Sequence, residues 1–133
     1  MYKNLLETAK KARENAYCKY SGFAVGAALL CSDGTVFSGC NIENISYSLT
    51  NCAERTAFFK AVSEGKKDFT AIAVVGAVKS EDCSEEPCYP CGACLQVMSE
   101  LGGPGLDVVL LQNGEAVVMK LSELMPRAFC SEF

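Results

Sequence analysis

Two short segments constrain this chain more than any other feature. Residues 70–78, TAIAVVGAV, and residues 107–111, DVVLL, are runs of small and β-branched apolar residues with almost no polar alternation. Strands of that kind are buried on both faces and need a covering layer on each side. The flanking segments can supply those layers. Residues 2–16 repeat Leu5, Leu6, Ala9, Ala12, Arg13 and Ala16 at three- and four-residue spacing, which predicts a helix. Residues 52–64 predict a second helix, packed through Ala53, Ala57, Phe58, Ala61 and Val62. Thr50 or Asn51 is its expected cap, Glu54 falls in its first turn, and Gly65 ends it. Residues 91–101 predict a third helix, stopped by the Gly-Gly-Pro-Gly of 102–105.

Two hairpins complete the pattern. Asp33-Gly34 turns a strand at 23–31 into one at 35–40, and Asn113-Gly114 turns 107–111 into 116–120. Ser122 is the expected cap of a short helix over 123–125, ended by Pro126. Residues 41–51 are polar and irregular, and 79–90 form an acidic, proline-bearing loop. The order predicts a three-layer α/β/α fold with a mixed five-stranded sheet, residues 1–133 forming one domain without linker or repeat. With 133 residues, half of them apolar, the chain has matter for one core.

Charge and residue counts narrow the function. Twelve basic against 16 acidic residues leave a net charge of -4. That balance argues against a nucleic-acid partner. No apolar run approaches the roughly 18–20 residues that span a bilayer, and the first residues lack the apolar core of a secretory signal. No membrane partner is expected, and the expected location is cytoplasmic. Nine cysteines stand beside no histidine. An odd number cannot all pair within one chain, and a reducing compartment keeps thiols free. The missing imidazole removes Ser-His-Asp and Cys-His catalysis and every histidine-bound zinc site. A metal here must be held by thiolates, carboxylates or both.

The strongest local signal is PCGAC, Pro90 to Cys94. Cys91 and Cys94 can point to one side of a helix's first turn, where amide groups and the dipole favour thiolates. The second helix opens the same way, with Cys52 and then Glu54. If the two helices lie side by side, three thiolates converge on one point. Zinc commonly takes four ligands, so three protein sulfurs leave one position for water, with Glu54 as the proton carrier beside it. Two other readings use the same residues. Cys83 and Cys88 could join Cys91 and Cys94 in a closed four-thiolate knuckle of a metal-stabilised binding module, or Cys91 and Cys94 could form a redox pair. Cys18, Cys31, Cys40 and Cys130 read as buried or half-buried apolar residues.

The longer motifs SGFAVGAAL, NIEN, NCAERTAFFKAVSEG, PCGACLQVMSEL and ELMPRAFCSEF cover nearly the whole chain. Together they resemble the small homotetrameric zinc-dependent cytidine deaminases of nucleoside salvage. The resemblance implies a cytidine deaminase-like fold, with Cys52, Cys91 and Cys94 as ligands of one zinc per subunit and Glu54 as the proton shuttle. It implies that Asn41 and Glu43 bind ribose hydroxyls and that Phe23 lines the base site. It also implies that Phe129 reaches a neighbouring subunit's pocket, in a homotetramer with pockets shared between subunits. The implied reaction converts cytidine and 2′-deoxycytidine, small-molecule pyrimidine nucleosides, to uridine and 2′-deoxyuridine with release of ammonia. A related aminopyrimidine is the alternative substrate. Arg55, next to Cys52, is a candidate to temper the thiolate charge, and backbone carbonyls near Ala53 or Pro90 are candidate acceptors for the amino group. One departure stands out: the position after Cys94, commonly arginine in the family, is Leu95.

Overall fold

The computed structural model describes residues 1–130. The last three residues of the tail motif, 131–133, lie outside them. The elements are α1 (Lys3–Arg13), β1 (Phe23–Cys31), β2 (Val36–Cys40), a 3-10 turn (Tyr47–Leu49), α2 (Ala53–Ser63), β3 (Phe69–Val78), α3 (Gly92–Gly102), β4 (Asp107–Gln112), β5 (Glu115–Lys120) and α4 (Leu121–Leu124). The sheet runs in the order β2-β1-β3-β4-β5. β3 and β4 pair in parallel, with Ile72 opposite Val108, and the other neighbours are antiparallel. A parallel pair needs a crossover, and α3 provides it.

The two apolar segments are the central strands, covered on both faces as their composition requires. On β3 the side chains alternate. Ile72 and Val74 face a cluster with Ala57, Phe58 and Ala61 of α2, Met98 of α3 and Leu121 of α4. Ala71, Ala73 and Val75 face Leu5, Leu6 and Ala9 of α1. The result is the expected three-layer arrangement of a mixed five-stranded sheet. Among the described residues, no helix is long and apolar enough to cross a membrane.

Two glycines set how closely the helices approach. A Cβ at Gly26 would collide with Ala9 O and lie 2.6 Å from the backbone N of Arg13 in α1. A Cβ at Gly39 would lie 2.7 Å from the backbone N of Ala57 in α2. No real Cβ contact is that short, so both helices sit against bare backbone, one on each face of the sheet. Arg13 then closes one end of it. Its guanidinium donates to Ala24 O at 2.9 Å, Val78 O at 2.8 Å, and Ala77 O and Glu81 O at 3.1 Å each. One side chain thus ties the start of β1, the end of β3 and the acidic loop together.

Several element ends differ from the sequence expectation. Helix α1 stops at Arg13 because the N–H groups of Glu14, Asn15 and Ala16 bond back three residues, tightening the last turn. The caps of α2 and α3 are Cys52 and Cys91, not Thr50 or Asn51. Lys120, not Ser122, precedes α4, and the Ser122 N–H instead donates to Pro104 O. Cys18 and Cys31 are buried and Cys40 half-buried, whereas Cys130 is exposed, since it lies past α4 in a tail with no layer over it.

Candidate metal centre

Cys52 and Cys91 occupy the same place in two helices. Each is the residue before the first helical turn, with extended backbone angles of φ -79°, ψ 159° and φ -73°, ψ 169°. Cysteine is a poor capping residue, and neither side chain makes a capping hydrogen bond to the backbone of its helix. Both sulfurs are therefore left to meet. Cys52 Sγ and Cys91 Sγ lie 3.8 Å apart, and all three sulfurs of Cys52, Cys91 and Cys94 lie within 4.8 Å of one another. Pro90 is buried just ahead of Cys91. Pro90 lacks an N–H and biases the preceding residue toward extended backbone, so helix α3 cannot start earlier.

The spacing fits zinc. Sulfurs at about 2.3 Å from a tetrahedral ion stand about 3.8 Å from each other. Cys94 is buried at the back of the cluster, Cys52 is half-buried and Cys91 is exposed, so the cluster opens on one side. Both helix N-termini direct positive ends at the sulfurs. The Cys52 thiol is pushed down to about 5, first by the hydrogen bond from Cys94 and next by Arg55. The Cys94 thiol, which keeps that proton, is pushed up. Arg55 Nη2 lies 3.1 Å from Cys52 Sγ, and its Nε is buried with no partner among the described residues. This guanidinium faces sulfur, and among the described residues no other acceptor bonds it.

Glu54 is only 4% exposed beside these thiols. Burial first of all pushes its carboxyl up to about 7, and the charge at Cys52 adds to the effect. Cys88 is pushed up to about 12, again mainly by burial and then by the charges of Glu54 and Cys52. A Cβ at Gly76 would lie 2.7 Å from the Cys88 sulfur and 3.1 Å from the Phe23 ring. Cys83 lies across the sheet in the α1-side cluster, so a knuckle that uses it is not built.

A model of the cytidine and deoxycytidylate deaminase zinc-binding region matches residues 1–110. The chain belongs to this family. It is 55% identical over 130 residues to a cytidine deaminase of Halalkalibacterium halodurans, covering 96% of this chain and 93% of that one. It is 51% identical over 129 residues to a cytidine deaminase of Sporosarcina psychrophila, covering 96% and 90%. The crystal structure of cytidine deaminase from Burkholderia pseudomallei superposes with a TM-score of 0.87 at 52% identity, over 97% of this chain and 99% of that one.

Of the other candidate residues, Phe23, Asn41 and Glu43 form a second group. Asn41 is buried; its Oδ1 accepts from Val25 N–H at 2.9 Å and its Nδ2 donates to Phe23 O at 2.8 Å. Glu43 accepts from the N–H groups of Tyr20 and Ser21, both at 3.1 Å, and from the Ser21 hydroxyl. Phe23 opens β1 and is 40% exposed. Ala53 is buried, and its carbonyl abuts Gly39 on the sheet. Phe129 stands apart on the tail, 77% exposed, its carbonyl accepting from Gln96 Nε2 of α3 at 3.0 Å. Leu95 packs its side chain against the core. Sequence reasoning missed Ser21; the available signal was its place two residues before Phe23, where a serine hydroxyl can capture a backbone N–H.

Replacing Cys52, Cys91 or Cys94 with alanine should each lower bound zinc from one per chain to well below it, while Cys83→Ala and Cys88→Ala keep it. Elemental analysis of the purified variants measures this. Zinc that survives in Cys52→Ala and disappears in Cys88→Ala would place the ion elsewhere.

Proposed function

We propose that this protein removes the 4-amino group of cytidine and 2′-deoxycytidine by hydrolysis, yielding uridine or 2′-deoxyuridine and ammonia in pyrimidine salvage. The observation that carries the reading is the cluster of three sulfurs with a buried carboxyl next to it. Zinc held by Cys52, Cys91 and Cys94 supplies Lewis acidity that makes water a usable nucleophile near neutral pH.

Glu54 moves the protons. Burial raises its carboxyl above the ordinary carboxylate range, which makes it a better proton acceptor and suits a group that must accept and then donate. Glu54 takes a proton from the attacking water and gives it to N3 of the ring as the new C4–O bond forms. It then passes the second proton to the amine as the C4–N bond breaks, and ammonia leaves. Arg55 draws negative charge from Cys52, a task it carries without the arginine that Leu95 replaces. Three thiolates and one zinc sum to -1, so such a donor matters.

The second group of residues binds the substrate. The Phe23 ring presents a flat apolar face to the base. Ala53 opens α2, so its N–H is among the helix-start donors without an intrahelical acceptor and suits the ring oxygen at C2. The Pro90 carbonyl is the acceptor for the exocyclic amine. Asn41 keeps one amide hydrogen and Glu43 keeps spare lone pairs for ribose hydroxyls. The Glu43 carboxylate would repel a phosphate, which favours free nucleosides over nucleotides.

The working assembly is a cytoplasmic homotetramer in which Phe129 of one subunit completes the pocket of another. Exposed apolar side chains support association: Ile45, Tyr47 and Leu49 crowd one loop, and Phe129 projects from the tail. Nine free thiols suit a reducing compartment.

Glu54→Gln should keep its zinc while its rate on cytidine, followed by ultraviolet absorbance, falls by about 10²–10⁴-fold. Undiminished turnover would remove Glu54 from this role. Phe129→Ala should also be impaired, and refolding it together with Glu54→Gln should recover activity, because some pockets then pair an intact Glu54 with an intact Phe129. No recovery in mixed assemblies would show that each pocket is built from one chain.

A further inference from the structure

Ser21 joins the two halves of the nucleoside site. Its hydroxyl donates to Glu43 Oε2 and accepts the N–H of Phe23 at 3.0 Å. Its own N–H donates to Glu43 Oε1 at 3.1 Å. The hydroxyl hydrogen and one lone pair are thus committed to two different residues. Asn41 completes the frame by holding the other end of the same residue, Phe23 O, and the N–H of Val25. Both backbone groups of Phe23 are therefore fixed by polar side chains, one of them bonded to Glu43. The Glu43 carboxyl is held below the usual carboxylate range, first by the Ser21 hydroxyl. A cavity of about 350 Å³ opens beside this frame, lined by Tyr20, Ser21, Glu43, Tyr47 and Thr50.

We infer that Ser21 is a positioning residue for nucleoside recognition, its hydroxyl holding the sugar-binding carboxylate of Glu43 and the base-facing ring of Phe23 in one fixed relation. The inference rests on the nucleoside deaminase reading above. A serine that only stabilised the turn would need to satisfy the Phe23 N–H alone. This one also orients a carboxylate whose backbone donors, the N–H groups of Tyr20 and Ser21, both reach Oε1 and leave Oε2 to the hydroxyl. Without the hydroxyl, the Phe23 N–H loses its partner and Glu43 Oε2 loses its only side-chain donor among the described residues. The chemistry at Glu54 is untouched, so the loss falls on binding.

The test compares wild type, Ser21→Ala, Ser21→Cys and Ser21→Thr on cytidine and on 2′,3′-dideoxycytidine, with zinc content and melting temperature measured for each. Ser21→Ala should raise KM for cytidine by about tenfold, the scale of one lost hydrogen bond to a charged group, with kcat within about twofold. Ser21→Thr, which keeps the hydroxyl, should restore KM to near wild type. Ser21→Cys keeps the volume with a weak donor and should shift KM in the same direction as alanine, which covers the case of an unfolded Ser21→Ala. On 2′,3′-dideoxycytidine, which offers Glu43 no hydroxyl at either ring position, the penalty should shrink to about threefold or less. Wild type that turns over cytidine, with KM unchanged in Ser21→Ala and Ser21→Cys, overturns the Ser21 inference alone. So does an equal penalty on both nucleosides, or a failure of threonine to rescue. Wild type that does not turn over cytidine removes the deaminase reading and this inference with it.

Discussion

The contact on which the rest depends is the 3.8 Å approach of Cys52 Sγ to Cys91 Sγ across two helix beginnings. It requires α2 and α3 to lie on the same face of the sheet with their N-termini level. Gly39 lets α2 sit against bare backbone, and the crossover from β3 to β4 carries α3 to the same side. Each cysteine then stands one residue before its helix, with extended backbone that swings the sulfur outward. A serine or aspartate in that place would cap the helix and turn its oxygen inward. The helices give up a capping bond, and in exchange two helix dipoles point at thiolates.

Charge is the next constraint. Three thiolates gathered in a half-buried site repel one another unless cations and oriented donors stand nearby. The structure provides Arg55, whose Nη2 reaches Cys52 Sγ and whose Nε has no competing partner among the described residues. Leu95, directly after Cys94, contributes apolar packing and no charge. Among the described residues, the site then has one guanidinium bonded to sulfur and a carboxyl, Glu54, that burial pushes up to about 7. Glu43, in the loop before α2, is treated the opposite way: the Ser21 hydroxyl and two backbone N–H groups bond it and hold its carboxyl below the usual range. Two carboxyl groups with opposed surroundings suit two tasks, proton transfer and hydroxyl binding.

Much of this was legible in the residues. The apolar runs at β3 and β4 required two covering layers, and the Asp33-Gly34 and Asn113-Gly114 turns marked both hairpins. The paired cysteines of Pro90 to Cys94 and the helix start at Cys52 marked candidate ligands, and the resemblance, not the spacing, chose the set of three that the structure brings together. Cap positions were less legible. Thr50 and Asn51 have better capping chemistry than Cys52, yet Asn51 is drawn into a bridge with Ile42 and Thr50 closes the 3-10 turn. That turn itself has no periodicity to announce it. The bonds of Ser21, Asn41 and Glu43 join parts of the chain about twenty residues apart, so no local pattern reveals them. The exposure of Cys130 likewise follows from where the last helix ends.

The central claim is that three sulfurs and one non-sulfur ligand surround the ion. X-ray absorption at the zinc edge of the full-length protein tests it most directly. The account predicts three sulfur neighbours at about 2.3 Å and one lighter oxygen or nitrogen neighbour at about 2.0 Å. A shell of four sulfurs would contradict it, because an ion closed by thiolates leaves no place for the water that the chemistry consumes.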